Sequence, residues 1–175
     1  MTYQHSTSLI GKSIIDLTED KSNKILVLGV GNYLMGDEGV GVHTIYEMEE
    51  KVIPDYIDVL DGGTGGFFLM SYFDTYPRVI FIDACMDGHE EGHIKVIRPK
   101  FASDFPKALS VHDVGLKDMI EVLYLQDKIP DIHLITVSIE KIDPMTMDLS
   151  EKVQESIPRV IDQVLNLAQT LNEID

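Results

Sequence analysis

The chain has 175 residues, 44% of them hydrophobic, the size and composition of one globular domain with a single core. Fourteen Lys and Arg against 30 Asp and Glu give a formal charge of -16, a field that repels phosphate backbones and anionic lipid, argues against nucleic acid as a partner, and favours cations and basic protein surfaces. The lone Cys85 excludes an intramolecular disulfide, and neither a cationic-apolar leader nor an apolar run of the ~18 residues a membrane span needs is present, so the expectation is a cytoplasmic monomer without membrane insertion.

Residues 1–23 are rich in Ser, Thr and Asp, with Leu9, Ile10, Ile14 and Ile15 as their only apolar cluster; they read as an extension of uncertain order before a domain covering 24–175. From Lys24 onward, short β-rich apolar runs alternate with longer amphipathic ones. That is the signature of βαβ units and predicts a single α/β domain, a mainly parallel twisted sheet of about five strands with helices on both faces. The first strand, 25–28, is apolar on both faces, as burial inside such a sheet requires. Val42, Ile45, Met48 and Val52 share one face of a predicted helix over about 38–51, closed by Pro54. A second strand over 56–60, a short helix over 66–73 and a third strand over 78–82 follow. The turn 87–92 is short enough to predict a hairpin to a strand over 94–97. Leu116, Met119, Ile120 and Leu123 recur at helical spacing, predicting a helix over 113–125 that Asp113 can cap, before a strand over 132–137. Val153, Ile157, Val160, Ile161, Val164, Ala168 and Leu171 form the stripe of a last helix, which Pro158 is expected to kink or restart.

Open parallel sheets bind ligands at the carboxyl ends of their strands, so the residues that follow each strand are the candidates for chemistry. The first strand runs into GVGNYLMGDEGVG, the second into DGGTGG and the third into Asp83, while SVHD precedes the later helix. Four distant segments would thus bring Glu38, Asp61, Asp83 and His112 to one edge of the sheet, a set able to bind a divalent metal. A helix N-terminus favours Glu38 as the anion and disfavours protonation of His112, leaving its nitrogen free to coordinate. Taken singly each residue has an ordinary alternative, since strand-terminal Asp residues cap turns and a His before a helix is often a surface residue.

Together the blocks GVGNYLMGDEGVG, VLDGGTGG, FIDA and SVHDVGL, in this order and spacing, resemble the hydrogenase maturation endopeptidases. The resemblance runs from about Lys24 to the last helix and leaves out residues 1–23. It implies an α/β endopeptidase that removes the C-terminal extension of the precursor of a nickel-iron hydrogenase large subunit once nickel is in place. It implies that Glu38, Asp83 and His112 contact the metal, nickel being carried by the substrate rather than held permanently, and that Asp61 is also implicated. Whether Asp61, Asp83 and Glu38 act as catalytic acids and bases or nickel activates the water is left open by the residues.

Two other readings compete. His89-Glu90-Glu91-Gly92-His93 matches H-E-x-x-H, the zinc-protease signature, but Gly88, Gly92 and the following strand argue against the helical turn this chemistry needs. Gly29-Val30-Gly31 after a first strand and Asp61 after a second suggest a dinucleotide-binding module, yet Leu34 stands where the third glycine should be, and Asp37-Glu38 would oppose a pyrophosphate. Cys85 reads as a small buried hydrophobe.

Overall fold

The computed structural model describes residues 15–100, 102–104, 106, 114–125 and 129–174. Five strands form one sheet in the order β2-β1-β3-β5-β4: β1 Ile25–Gly29, β2 Ile57–Asp61, β3 Arg78–Cys85, β4 Ile94–Ile97 and β5 Asp131–Ser138. β1 pairs in parallel with β2 and β3, and β3 in parallel with β5; only β4 is antiparallel. The expected hairpin from the third strand to β4 is therefore a correction, because β4 pairs with β5. Eight residues of β5 match the full length of β3, occupy its free edge, and leave β4 only the outside of the sheet.

Among the described residues, four α-helices cover the two faces. On one, α1 (Val40–Glu49) and α4 (Glu151–Asn172) pack Val40, Ile45, Met48, Val153, Ile157, Val160 and Val164 against Val27, Val59, Ile80, Ile82 and Ile135. On the other, α2 (Met70–Thr75) and α3 (Val114–Leu125) bring Phe73, Ile120 and Leu123 onto Leu26, Leu28, Val79, Phe81 and Leu134. The period of two along each strand assigns every residue to one of these cores. Pro158 lies inside α4 and neither ends nor restarts it. The apolar stripe on both sides of Pro158 is buried, and that burial outweighs the hydrogen bond Pro158 does not donate. The predicted first helix is shorter than expected: a 3₁₀ turn, Gly36–Gly39, precedes α1, and Val52 lies beyond the helix, fully exposed. The second helix likewise opens with a 3₁₀ turn, Phe67–Leu69.

The described part of the N-terminal extension is packed on the domain. Ile15 and Leu17 join the α2/α3 core, and buried Lys21 lies 3.4 Å from Asp58. Asp58 also accepts a 2.6 Å hydrogen bond from the Tyr76 hydroxyl and faces Lys24 at 3.4 Å. Burial opposes ionisation of Asp58, but the Tyr76 hydroxyl and the two lysines outweigh it and hold its carboxyl below the ordinary range. The folded pKa is depressed, so this contribution to stability is complete above the unfolded value of about 4 and is lost as pH falls through the folded one. Acid titration of Asp58→Asn should accordingly show a shallower loss of stability below pH 4 than the parent, and parallel curves would contradict the assignment.

Candidate active site

The carboxyl edge of the sheet is assembled by glycines that let backbones touch. A Cβ on Gly41 would lie 2.3 Å from the Ile82 carbonyl oxygen and 2.4 Å from that of Val30, so the start of α1 sits directly on the ends of β1 and β3. Gly31, at φ 137°, lets its loop approach the Glu38 carbonyl, which an added Cβ would meet at 2.0 Å. Both contacts seat the Gly36–Gly39 turn, with Glu38, against the end of β3, where Asp83 follows Ile82. Glu38 and Asp83 are both 0% exposed. Asp83 belongs to the strand rather than following it: it pairs with Thr136 on β5, and its Oδ1 accepts the Ala84 N–H at 2.8 Å.

The neighbouring residue Asp37 has a separate task. Its Oδ1 accepts the Ser150 N–H at 2.6 Å, so a side chain from this turn satisfies the backbone at the start of α4, where Ser150 makes no side-chain cap of its own.

Asp61 shares the edge but not the face. It has the strand parity of Ile57 and Val59, whose core lies under α1 and α4, whereas Asp83 has the parity of Val79 and Phe81 on the α2/α3 side. Register puts Gly29 between Asp61 and Ile82, a separation of about 10 Å across two strand spacings. Both Asp61 oxygens are engaged: Oδ2 accepts the Tyr46 hydroxyl at 2.7 Å and Oδ1 the Gly63 N–H at 2.8 Å. Burial and the adjacent Asp61 carboxylate push the Tyr46 phenol well above its ordinary pKa, so it remains a donor at neutral pH. Tyr33 completes this side, stacking on His43 at 4.5 Å and lying 5.6 Å from the Tyr46 ring. Burial lowers the His43 pKa against opposing contributions from the Met147 backbone and nearby acids.

His112 and the capping Asp113 lie outside the described residues. The helix that begins at Val114 packs Ile120 and Leu123 on the face to which Asp83 belongs. Among the described residues no three His, Cys, Asp or Glu side chains are grouped tightly enough to hold a metal ion. The H-E-x-x-H segment is not helical: Gly92 has φ 76°, His89 and His93 are exposed and stacked at 4.8 Å, and Glu90 pairs with Lys152 at 3.1 Å. The dinucleotide reading meets two buried carboxylates, Asp37 and Glu38, where a pyrophosphate would need helix N–H groups. The sequence alone does not single out Tyr46 or the Asp37–Ser150 cap, and it leaves His43 either beside the site or merely exposed. A signal for Tyr46 was present, since it follows the inward-facing Ile45 in a helix already placed at this edge.

A family model described as hydrogenase maturation protease matches residues 42–167. The chain is similar to the hydrogenase expression/formation protein HupD of Bradyrhizobium diazoefficiens, 34% identical over 151 residues that cover 80% of this chain and 77% of that one. It is 32% identical to the hydrogenase 2 maturation protease of Escherichia coli, covering 81% and 88% respectively. The solved structure of the hydrogenase maturating endopeptidase HybD from E. coli superposes with a TM-score of 0.76 at 31% identity, over 84% of this chain and 93% of that one. The [NiFe] hydrogenase maturation protease HybD from Thermococcus kodakarensis superposes at 0.70 with 28% identity, over 83% and 99%. The α/β fold together with these similarities makes the chain a peptidase. The chain belongs to the hydrogenase maturation protease family, whose members are endopeptidases.

Proposed function

We propose that this endopeptidase removes the C-terminal extension of the nickel-loaded precursor of a nickel-iron hydrogenase large subunit, acting as a cytoplasmic monomer. The observation that carries the reading is the placement of Glu38 and Asp83 by backbone-to-backbone glycine contacts at the carboxyl edge, in a chain of this family. Glu38, Asp83 and His112 ligate the nickel that the substrate brings, so the metal is substrate and not a resident cofactor. Oxygen and imidazole donors suit a divalent ion of this kind. Ligation fixes the scissile bond against the edge and polarises its carbonyl toward water. Both carboxylates are buried, a water-poor setting in which their attraction for a cation is strong.

Asp61 is a positioning residue in this account. With one oxygen on Tyr46 and the other on Gly63 N–H, it holds the glycine loop that borders the edge. An Asn keeps a side-chain oxygen for the Gly63 N–H, whereas an Ala does not. Asp61→Asn should therefore retain most processing while Asp61→Ala loses roughly tenfold, the scale of one well-placed hydrogen bond. Equal and complete loss in both variants would make Asp61 the general base instead. The function itself is tested by incubating the protein with such a precursor and following release of the C-terminal peptide by mass spectrometry; an intact precursor would refute it.

A further inference from the structure

Leu34, Met145 and Met147 are exposed on two loops that border the Gly36–Gly39 turn. These loops are fastened to one another. Met35 and Thr146 form a parallel bridge, the Gly36 N–H donates to the Thr146 carbonyl at 2.8 Å, the Met147 backbone hydrogen-bonds His43, and Ser150 is held by Asp37 at 2.6 Å. Among the described residues Met145 alone has a positive φ without being Gly, at 66°, and it is 92% exposed. A left-handed backbone disfavours a side chain there, and water disfavours a methionine, so neither folding nor solubility accounts for the residue. Methionines on an anchored backbone make an apolar surface that adapts to its partner.

We infer that Leu34, Met145 and Met147 form a docking ridge for the body of the large-subunit precursor, receiving an apolar patch flanked by Lys or Arg. The inference rests on the function proposed above and adds the surface that recognises the substrate away from the scissile bond. Two features choose this occupant. The ridge is continuous with the loop that leads from Leu34 into the turn carrying Glu38, so a protein seated on it lies beside the candidate site. Its border carries net negative charge: Glu140 and Asp148 are exposed, while Lys141 and Asp143 pair at 2.7 Å and offset one another. Basic residues on the partner complement that border and speed encounter with a chain of net charge -16.

The test uses the full chain and the nickel-loaded precursor. The Leu34→Ser, Met145→Ser, Met147→Ser triple variant should raise KM about tenfold or more, the scale of losing an apolar anchor group, while kcat stays within about twofold. Met145→Gly alone should raise KM while its melting temperature is unchanged or higher, because glycine accepts the left-handed backbone. Val52→Ser, which removes a fully exposed apolar residue elsewhere, should change neither. A folded triple variant or Met145→Gly with the parent KM would overturn the ridge and leave the function standing. Failure of the unaltered protein to process the precursor would remove both.

Discussion

Gly41→Ala is expected to destabilise the domain by roughly 3 kcal/mol or more, a large share of the ~5–15 kcal/mol that holds a domain folded. The added Cβ would lie 2.3 to 2.9 Å from three backbone atoms of Ile82 and Val30, and backbone cannot turn aside as a flexible side chain does. Relief requires the start of α1 to lift off β1 and β3, which would also carry Glu38 away from Asp83. Gly29 faces the same contact from the other side, its Cβ position lying 2.2 Å from the Gly41 carbonyl oxygen. Gly88 is the contrast. Its φ of 79° disfavours a side chain, but nothing lies within 4 Å of its Cβ position, so Gly88→Ala should cost only about 1–2 kcal/mol. Denaturant titration of the two variants checks the pair; equal midpoints would show that the close packing of α1 is not what holds this edge.

Glu38→Gln and Asp83→Asn are expected to lower precursor processing by roughly 10²–10³-fold each, the scale of removing one preorganised electrostatic contact from a catalytic centre. These replacements preserve shape and take away charge, so the variants should remain folded, whereas Ala at either wholly buried position would also leave a cavity. His89→Ala and His93→Ala, exposed on a non-helical turn, should process normally. Single-turnover assays with melting curves on the same preparations separate the cases. Normal processing by the carboxylate variants together with loss in the histidine variants would move the chemistry to the 87–93 turn.

Much of the architecture is legible in the sequence because hydrophobic period is local. The both-face apolar run 25–28, the stripe of α4 and the i, i+3, i+4, i+7 pattern of α3 each specify an element and its buried side. Pairing is not local. Nothing in residues 87–97 reveals that β4 joins β5, since the preference is set by how completely β5 fills the edge of β3. The site divides similarly. A residue at a strand's carboxyl end can be assigned to the edge, and Glu38 and Asp83 do lie there; whether two such acids share a face depends on where the strand stops. β3 continues through Cys85, so the parity of Asp83 is fixed within the strand and is opposite to that of Asp61. Asp37 and Glu38 are adjacent and chemically alike, and only the fold separates a cap for α4 from a residue of the candidate site.

The proposed role of Glu38 and Asp83 is to read a metal borne by the substrate. It is tested most directly by offering the protein nickel-loaded and nickel-free forms of one large-subunit precursor and measuring the released C-terminal peptide by mass spectrometry. Release from the loaded form alone, abolished by Glu38→Gln, is the predicted result. Equal release from both forms would contradict it.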